Sequence, residues 1–425
     1  MGPVSPPGYW PGPWPGEDGG PSRLQAATGP HTLGLRHRGA LEVVSRTVPA
    51  ATMAVTRDPG QLYLLRHAAG EDAVSFVERI DPLSLEEVGR SPDLAGGPTW
   101  PGSLAAHANG SLYVVFGNHA HRLDPDLSVL ATTTLPRHRP YNGFVILPDG
   151  HLVTKDFAGS RPGAPVAAGE REPCELVVLE PDTLRIVERC TLSEPSIARL
   201  STSGDELFVV GDTSLLRVRW DGRLHPDERA PVPYRTRTGQ TYGWDCVIAL
   251  GAAWFLDDGE GSDAYTGTLF GHGVSGAPLH LVRVDLAEGT CTMVEICGRP
   301  GGLVANPPIV DVDRSIVVGY DSGNGVMRAF DVAADGTLSS RWQRSQHHGG
   351  HLLLVPGTGE LVTGDFDASR GADQVVVLDI GSGEELARAD TGSPVQSVLF
   401  PAAGFADDIY LCTFTTVTRV SVGPA

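Results

Sequence analysis

The sequence predicts an all-β protein that folds as a single closed β-propeller of about eight four-stranded blades, with seven blades as the alternative. Two observations indicate this fold. A hairpin pattern recurs along the chain at a spacing of about 45–60 residues, which suits propeller blades. From about residue 40 onward, no stretch of useful length shows the helical period.

The clearest copy of the repeated pattern lies at residues 141–157, and a variant follows at 351–366. The first copy has an apolar strand over 144–147, a turn at 148–150 and a second strand that leads to Asp156. The turn sequence is Pro-Asp-Gly, which is typical of tight turns between strands. The outer two strands of each blade surround another turn, and these segments are 79–88, 121–130, 177–187, 217–225, 282–294, 328–340 and 375–387.

Both ends of the repeated region carry incomplete blades. Residues 395–400, 408–414 and 416–422 form three strands, one fewer than a blade needs, whereas residues 40–49 form a single strand. Pairing of this N-terminal strand with the last three would complete a blade and remove the unpaired edges of an open array. The ring then has about eight blades, or seven if one unit has been over-counted.

Residues 1–30 are rich in proline, glycine and tryptophan and are predicted to form a flexible N-terminal tail, whereas residues 31–425 form the propeller domain. Because Tyr9, Trp10 and Trp14 are costly to leave in water, part of the tail is expected to pack on the domain surface. Covering the mouth of a site is the alternative role. Since the tail lacks the repeat, we expect its deletion to be tolerated.

Composition limits the partners. The net charge of −19, from 32 basic and 51 acidic residues, argues against nucleic acid and favours a cationic or polar small molecule. The chain has neither a long apolar run nor a signal-peptide pattern, so no membrane partner is expected. The six cysteines form no CxxC motif and are expected to be buried thiols in a reducing cytoplasm. The oligomeric state stays open.

Polar residues accumulate on one face of the predicted ring. The links that lead into the innermost strand a and the loops between strands b and c share this face, called the top face here. Two of the loops, 158–173 and 258–278, are long, and long loops on a rigid scaffold often carry function. Strands b end in Asn118, Asp156, Asp212, Asp257, Asp321 and Asp365, and strands a begin with Asn142, Trp244, Asp245, Asn306, His348, His351 and Gln396.

The sequence therefore predicts a site at the top mouth of the central channel. Oxygen ligands suit a hard cation, so Ca²⁺ or another divalent cation is expected at Asn142 and Asp245. The candidate catalytic residues are Asp245, His348 and His351. The candidate substrate-binding residues are Trp244, Asn306, Gln396 and Tyr141, and Asp156, Asp257 and Asp365 are expected to support them from behind.

Three local motifs bear on cofactors. Residues 271–276 have the GxGxxG spacing, but a strand follows where a dinucleotide site needs a helix, so NAD is not expected. His347, His348 and His351 form an HHxxH pattern that suits either metal ligation or structural hydrogen bonding. Residues 257–263 are rich in oxygen ligands for Ca²⁺, with a solvated acidic loop as the alternative.

As a whole, residues 40–422 resemble the broad superfamily of YVTN-type, quinoprotein-like and gluconolactonase-like propellers. Residues 139–143 (RPYNG), followed by 148–150 (PDG), are similar to a segment of gluconolactonase-like calcium enzymes whose asparagine lies at the metal and substrate site. The resemblance implies that Asn142 is the matching ligand and that Asp245 corresponds to that family's channel aspartate. The tryptophan series of quinoprotein dehydrogenases is not visible here, so a quinone cofactor is not expected.

Two classes of function remain open. The first is a small-molecule-processing enzyme at the channel mouth, of the divalent-cation-dependent hydrolase or lactonase-like kind. The second is a non-catalytic propeller that binds a ligand or a protein on its top face. A metal ion bound at the channel mouth would separate them.

Overall fold

The predicted eight-bladed propeller is confirmed. The structure is a computed structural model that describes residues 5–29, 31–36, 40–161, 164–227, 231–398 and 400–423. These residues form eight antiparallel sheets, each with four main strands that are hydrogen-bonded in the order a, b, c, d. Helical structure within the described ranges is confined to three 3₁₀ helices at Glu17–Gly19, Ala168–Glu170 and Ser262–Ala264, none of them long or apolar enough to cross a membrane.

The first strand, β1 (Leu41–Thr47), belongs to the last blade, and blade 1 begins with the second. Blade 1 contains β2 (Ala51–Thr56), β3 (Leu62–His67), β4 (Ala73–Ile80) and β5 (Glu87–Arg90), with β6 (Leu94–Gly97) also paired to β4. Blade 2 contains β7 (Ser103–Ala106), β8 (Leu112–Phe116), β9 (His119–Leu123) and β10 (Val129–Thr134). Blade 3 contains β11 (Tyr141–Ile146), β12 (Leu152–Asp156), β13 (Glu175–Leu179) and β14 (Ile186–Thr191). Blade 4 contains β15 (Ser201–Ser203), β16 (Glu206–Val210), β17 (Ser214–Trp220) and β18 (Leu224–Pro226), with β19 (Val232–Pro233) paired to β17.

The remaining blades follow the same order. Blade 5 contains β20 (Val247–Ala249), β21 (Ala252–Leu256), β22 (His280–Asp285) and β23 (Cys291–Glu295). Blade 6 contains β24 (Ile309–Asp311), β25 (Ile316–Asp321), β26 (Val326–Val332) and β27 (Leu338–Ser345). Blade 7 contains β28 (Leu353–Val355), β29 (Glu360–Asp367), β30 (Ala372–Asp379) and β31 (Glu385–Asp390). Blade 8 contains β32 (Phe400–Ala403), β33 (Ile409–Cys412), β34 (Thr416–Val422) and, as its outer strand, β1.

The N-terminal strand closes the ring as predicted. β1 pairs antiparallel with β34 in continuous register, from Leu41 opposite Val422 to Thr47 opposite Thr416. The innermost strand β2 of blade 1 also neighbours β32 of blade 8 on one side and β7 of blade 2 on the other. The ring is therefore closed both at its inner wall and through hydrogen bonding in the last blade.

Burial decreases from the axis outward, and this gradient explains why the strand sequences differ. Every residue of the inner strands β2 and β11 is buried, and both strands are continuous apolar or small-residue runs. The outer strands β1 and β10 alternate between exposed and partly buried residues, because one of their faces meets water. The hydrophobic core therefore lies between adjacent blades and around the channel.

Residues 5–29, called the channel segment below, lie inside the ring. The Trp10 backbone N–H donates to the Ala106 carbonyl of blade 2 at 2.9 Å, and the Leu354 N–H of blade 7 donates to the Gln25 carbonyl at 2.7 Å. Similar bonds join the segment to the inner strands or their flanking residues in blades 1, 3, 4, 5 and 6 through Thr56, Ile146, Thr202, Ile248 and Pro308.

The channel segment is thus not packed on the domain surface, where the sequence led us to expect part of a flexible tail. Trp14 is 1% exposed, and Arg23 and Gln25 are 2% and 0% exposed. The inner strand of each blade is a sheet edge whose backbone groups need partners, and the segment supplies them within the channel. Whether residues 1–30 form a unit separable from the propeller stays a prediction.

Candidate functional site

A cavity of about 220 Å³ lies at the top mouth of the channel. Its walls come from the links into the inner strands of several blades, from the long loop of blade 5 and from the loop between β33 and β34. Aromatic side chains dominate these walls, and they are Trp100, Trp244, Tyr265, Phe400 and Phe414. The polar and charged lining residues include Arg199, Asn306, Asp263, Ser262, Thr99 and His67.

Arg199 is the charged residue that connects this cavity to the interior. Its Nε donates to the Asn142 carbonyl at 2.6 Å and lies 2.9 Å from Glu17 Oε1. Its Nη1 is 3.7 Å from Asp245 Oδ2, too far for a hydrogen bond. Among the described residues, neither terminal nitrogen of Arg199 has a hydrogen-bond partner, although the side chain is only 3% exposed. The Arg199 guanidinium is thus fixed in position, but its terminal N–H groups still lack hydrogen-bond acceptors.

A buried cluster of three carboxylates lies next to Arg199. Glu17 and Asp18 come from the channel segment and Asp245 from the link into β20, and one oxygen of each lies within 4.8 Å of the others. Arg23 Nη1 lies between them, 3.4 Å from Glu17 Oε2, 2.7 Å from Asp18 Oδ2 and 3.8 Å from Asp245 Oδ2. One guanidinium nitrogen therefore serves as the common cation of all three groups.

His351 completes this charged network. Its Nδ1 lies 2.7 Å from Asp18 Oδ1, whereas its buried Nε2 has no partner among the described residues. Burial alone would raise the pKa of Asp18, but the charges and hydrogen bonds of His351 and Arg23 outweigh it and lower that pKa to about 2. For Glu17, burial prevails over the opposing charges of Arg199 and Arg23, and the pKa is raised.

The geometry at Asp245 suits an internal cation better than a metal ion. A hard divalent cation would bind among the three carboxylates, and Arg23 Nη1 already lies within 4 Å of an oxygen of each of them. Asn142, the other expected ligand, donates from Nδ2 to the Ile197 carbonyl at 3.0 Å. The sequence-based expectation of a divalent cation at Asn142 and Asp245 thus stays a prediction, and we derive no chemistry from it.

The other expected site residues divide into two groups. Trp244 and Asn306 line the cavity, and the buried indole N–H of Trp244 has no acceptor among the described residues. His348 is fully engaged: its Nδ1 accepts from the Gly364 N–H at 3.1 Å, and its Nε2 lies 2.6 Å from the Gly350 carbonyl. Burial lowers the pKa of His348 to about 4, so the ring is neutral at pH 7.

Gln396 and Tyr141 do not line the cavity. The Gln396 Oε1 accepts from the Leu269 N–H at 2.6 Å, and its Nε2 donates to the His347 carbonyl, so it braces the long loop of blade 5 against the next links. Tyr141 is fully buried, and its hydroxyl accepts from the Arg137 N–H at 3.3 Å. Both residues stabilise the walls around the channel mouth.

The three supporting aspartates bond within or beside their own blades. Asp156 accepts from the Glu175 N–H and pairs with Arg137 and Arg139, at 3.1 Å each. Asp365 accepts from the His347 N–H at 2.8 Å. Asp257 accepts from the His280 N–H at 2.6 Å and pairs with the His280 ring. These carboxylates fix the top ends of the sheets, which is the role of side-chain turn capping.

The acidic sequence at 257–263 is not fully solvated, because Asp257 and Asp258 are both 0% exposed. Asp258 Oδ1 accepts from the Thr241 N–H at 3.1 Å, whereas its Oδ2 is buried without a partner among the described residues. Burial and the neighbouring Asp257 charge raise the pKa of Asp258 from 3.8 to about 7. Between about pH 4 and pH 7, Asp258 is therefore protonated in the folded protein and ionised in the unfolded chain.

The raised pKa of Asp258 predicts that the free energy of unfolding depends on pH. Since the pKa of Asp258 is raised on folding, its protonation stabilises the folded state fully below about pH 4. This stabilisation is lost as the pH rises through about 7. We expect Asp258→Asn, which tolerates the positive φ of 60°, to gain stability relative to wild type between pH 5 and pH 8. The gain should be on the order of 2 kcal/mol in urea unfolding. Parallel pH profiles of the two proteins would contradict this.

Sequence reasoning missed part of the site. Glu17, Asp18 and Arg23 lie in the segment that was expected to be a tail, and Arg199 lies in a link that was searched for acids, amides and histidines. The position of Arg199, just before β15, is the equivalent of Asp245 before β20 and His351 before β28. A search of all strand-a links for charged residues of either sign would have found it.

No family model and no curated protein matches the chain, but solved structures share its fold. BamB from Moraxella catarrhalis is similar with a TM-score of 0.59 and 12% identity, over 90% of this chain and 100% of that one. The quinohemoprotein alcohol dehydrogenase ADHIIG from Pseudomonas putida HK5 has a TM-score of 0.62 and 10% identity, over 98% and 81%. The quinohemoprotein alcohol dehydrogenase from Comamonas testosteroni has 0.61 and 11%, over 97% and 81%.

The likeness shows the fold alone. Because one propeller architecture can carry unrelated functions, the fold does not determine which function this chain performs. The features that are particular to this chain lie in its own site. They are the aromatic cavity, the Arg199 guanidinium with unpartnered terminal N–H groups, and the channel segment, which supplies two of the buried acids.

Proposed function

We propose that the protein binds a small, mainly apolar molecule in the cavity at the top mouth of its channel. The observation that carries this proposal is the cavity itself, whose walls include five aromatic side chains and whose lining includes Arg199. An apolar cavity of roughly 150 Å³ in another protein suffices to bind benzene. A cavity of about 220 Å³ therefore has room for a single ring and a small substituent.

The arrangement is that of a ligand site in chemical terms. Flat aromatic walls give a planar molecule a large contact area, and a few polar groups at one end fix its orientation. The cavity lies on the top face, where the long loop of blade 5 meets several links between blades. Metal-dependent hydrolysis of a small molecule, which the sequence indicates, is the alternative to binding alone.

The test uses a neutral single-ring probe and a variant that fills the cavity. Benzyl alcohol should bind the wild type with a dissociation constant on the order of 0.1–1 mM, as expected for a ligand of about eight heavy atoms. Ala305 lines the cavity, so Ala305→Trp should abolish this binding. Isothermal titration calorimetry and protein melting temperature provide the two readouts.

Ala334→Trp is the matched control, because Ala334 is exposed in a turn of blade 6 away from the cavity. This variant should bind benzyl alcohol like the wild type. If the probe bound neither protein at 10 mM (about ten times the weakest affinity expected), the cavity would not be a ligand site for small apolar molecules.

A further inference from the structure

We infer that the molecule bound in this cavity carries a carboxylate, and that Arg199 binds it. The inference rests on the proposed function and specifies the chemical class of its ligand. Its first support is the state of the guanidinium. Arg199 has five N–H donors, of which Nε–H bonds to the Asn142 carbonyl, while the terminal nitrogens have no hydrogen-bond partner among the described residues.

The second support is that the contacts that hold Arg199 in position, including an ion pair between its Nε and Glu17, leave its terminal nitrogens without a hydrogen bond. Its Nε is near Glu17 Oε1, and Asp245 Oδ1 accepts from the Arg199 backbone N–H at 2.5 Å. Both Glu17 Oε1 and Asp245 Oδ2 are nevertheless without a properly directed hydrogen bond. These contacts fix the orientation of the guanidinium while its terminal edge remains available, which is the preorganisation that a binding site needs.

The third support is the charge of the lining. Among the described lining residues, Arg199 is the side chain with a permanent positive charge, and Asp263 is the one carboxylate. Burial lowers the pKa of His67, which keeps that ring neutral. A planar carboxylate matches a guanidinium edge through two parallel hydrogen bonds. A phosphate would bring more charge than one arginine can balance. The unpartnered indole N–H of Trp244, another wall residue, offers one more donor.

A cationic ligand, which the acidic composition of the chain favours, is the competing class. Aromatic walls can bind an ammonium group, and three carboxylates lie below. Those three carboxylates do not line the cavity, whereas Arg199 and one other carboxylate, Asp263, do. Arg23 also lies within 4 Å of all three. A cation in the cavity would therefore meet the Arg199 guanidinium and the Asp263 carboxylate before it met the three buried acids.

The experiment compares three probes with one aromatic ring each on the intact protein. Benzoate, benzyl alcohol and benzyltrimethylammonium are titrated by calorimetry at one ionic strength and pH 7. We expect benzoate to bind at least about tenfold more tightly than benzyl alcohol, since charge-assisted hydrogen bonds contribute more than neutral ones. Benzyltrimethylammonium should bind more weakly than either. Benzoate binding should also disappear in Ala305→Trp, which places it in the cavity.

Arg199→Met removes the charge while keeping an unbranched side chain. In this variant the preference for benzoate over benzyl alcohol should disappear. Should it fail to fold, the ranking of the three probes on the wild type still decides. Equal binding of benzoate and benzyl alcohol would overturn the inference while the proposed function stands. If benzyltrimethylammonium bound most tightly, the site would select a cation and the inference would be wrong. Absence of binding by all three would overturn both.

Discussion

Deletion of residues 1–50 should abolish cooperative unfolding. The deletion removes β1, so β34 loses its partner along seven residue pairs and the last blade is left open. It also removes the channel segment, which bonds to the inner-strand regions of blades 1 to 7. Unpaired backbone groups in an otherwise buried position are costly, and an open edge invites association with other chains. Urea unfolding followed by circular dichroism and by tryptophan fluorescence is the measurement.

Deletion of residues 1–36 is the matched control, because it removes the channel segment and keeps β1. This shorter deletion should still unfold in one transition, but at a lower urea concentration than the full-length chain. The structure thereby changes our expectation that loss of residues 1–30 is tolerated. Identical transitions for the full-length chain and both deletions would show that neither β1 nor the channel segment contributes to stability.

Arg23→Ala should lower the free energy of unfolding by about 3–5 kcal/mol, which is typical when one partner of a buried ionic network is removed. Three buried carboxylates would lose the cation that they share, and the Leu200 carbonyl would lose the Arg23 Nε–H bond of 2.8 Å. Arg36→Ala is the control, since Arg36 is half exposed and its pair with Asp379 should contribute only about 0–1 kcal/mol.

The same variants test the metal hypothesis. If Arg23 acts as the internal cation, added Ca²⁺ should raise the melting temperature of Arg23→Ala and leave that of the wild type unchanged. A wild-type protein whose melting temperature falls when EDTA is added would instead support a divalent cation near Asn142 and Asp245. Elemental analysis of the purified protein gives an independent answer.

The fold could be predicted because its signals are local and periodic. Each tight turn between strands c and d is marked by a few neighbouring residues, such as Asp81, whose Oδ1 accepts from the Leu83 and Ser84 N–H groups at 3.0 and 2.8 Å. Repetition of this pattern shows the number of blades, and the lone strand before the first repeat shows how the ring closes. Such information survives in a single sequence.

The site could be predicted only in part. The links into the inner strands directed attention to Trp244 and Asn306, which line the cavity. The channel segment could not be foreseen, since its contacts join residues far apart in the chain, such as Asp18 with His351, and follow no period. A proline- and glycine-rich segment has the same composition whether it is disordered or supplies hydrogen bonds inside a ring.

The pairing of β1 with β34 also orders events during protein synthesis. β1 must wait until β34, about 370 residues later in the chain, has been made before the ring can close. At about 5–20 residues per second, a ribosome needs roughly 20–75 s for the residues between Thr47 and Thr416. During that interval blades 1 to 7 can form, while β1 remains unpaired. We therefore expect chaperone dependence to concentrate on nascent chains that lack the last blade.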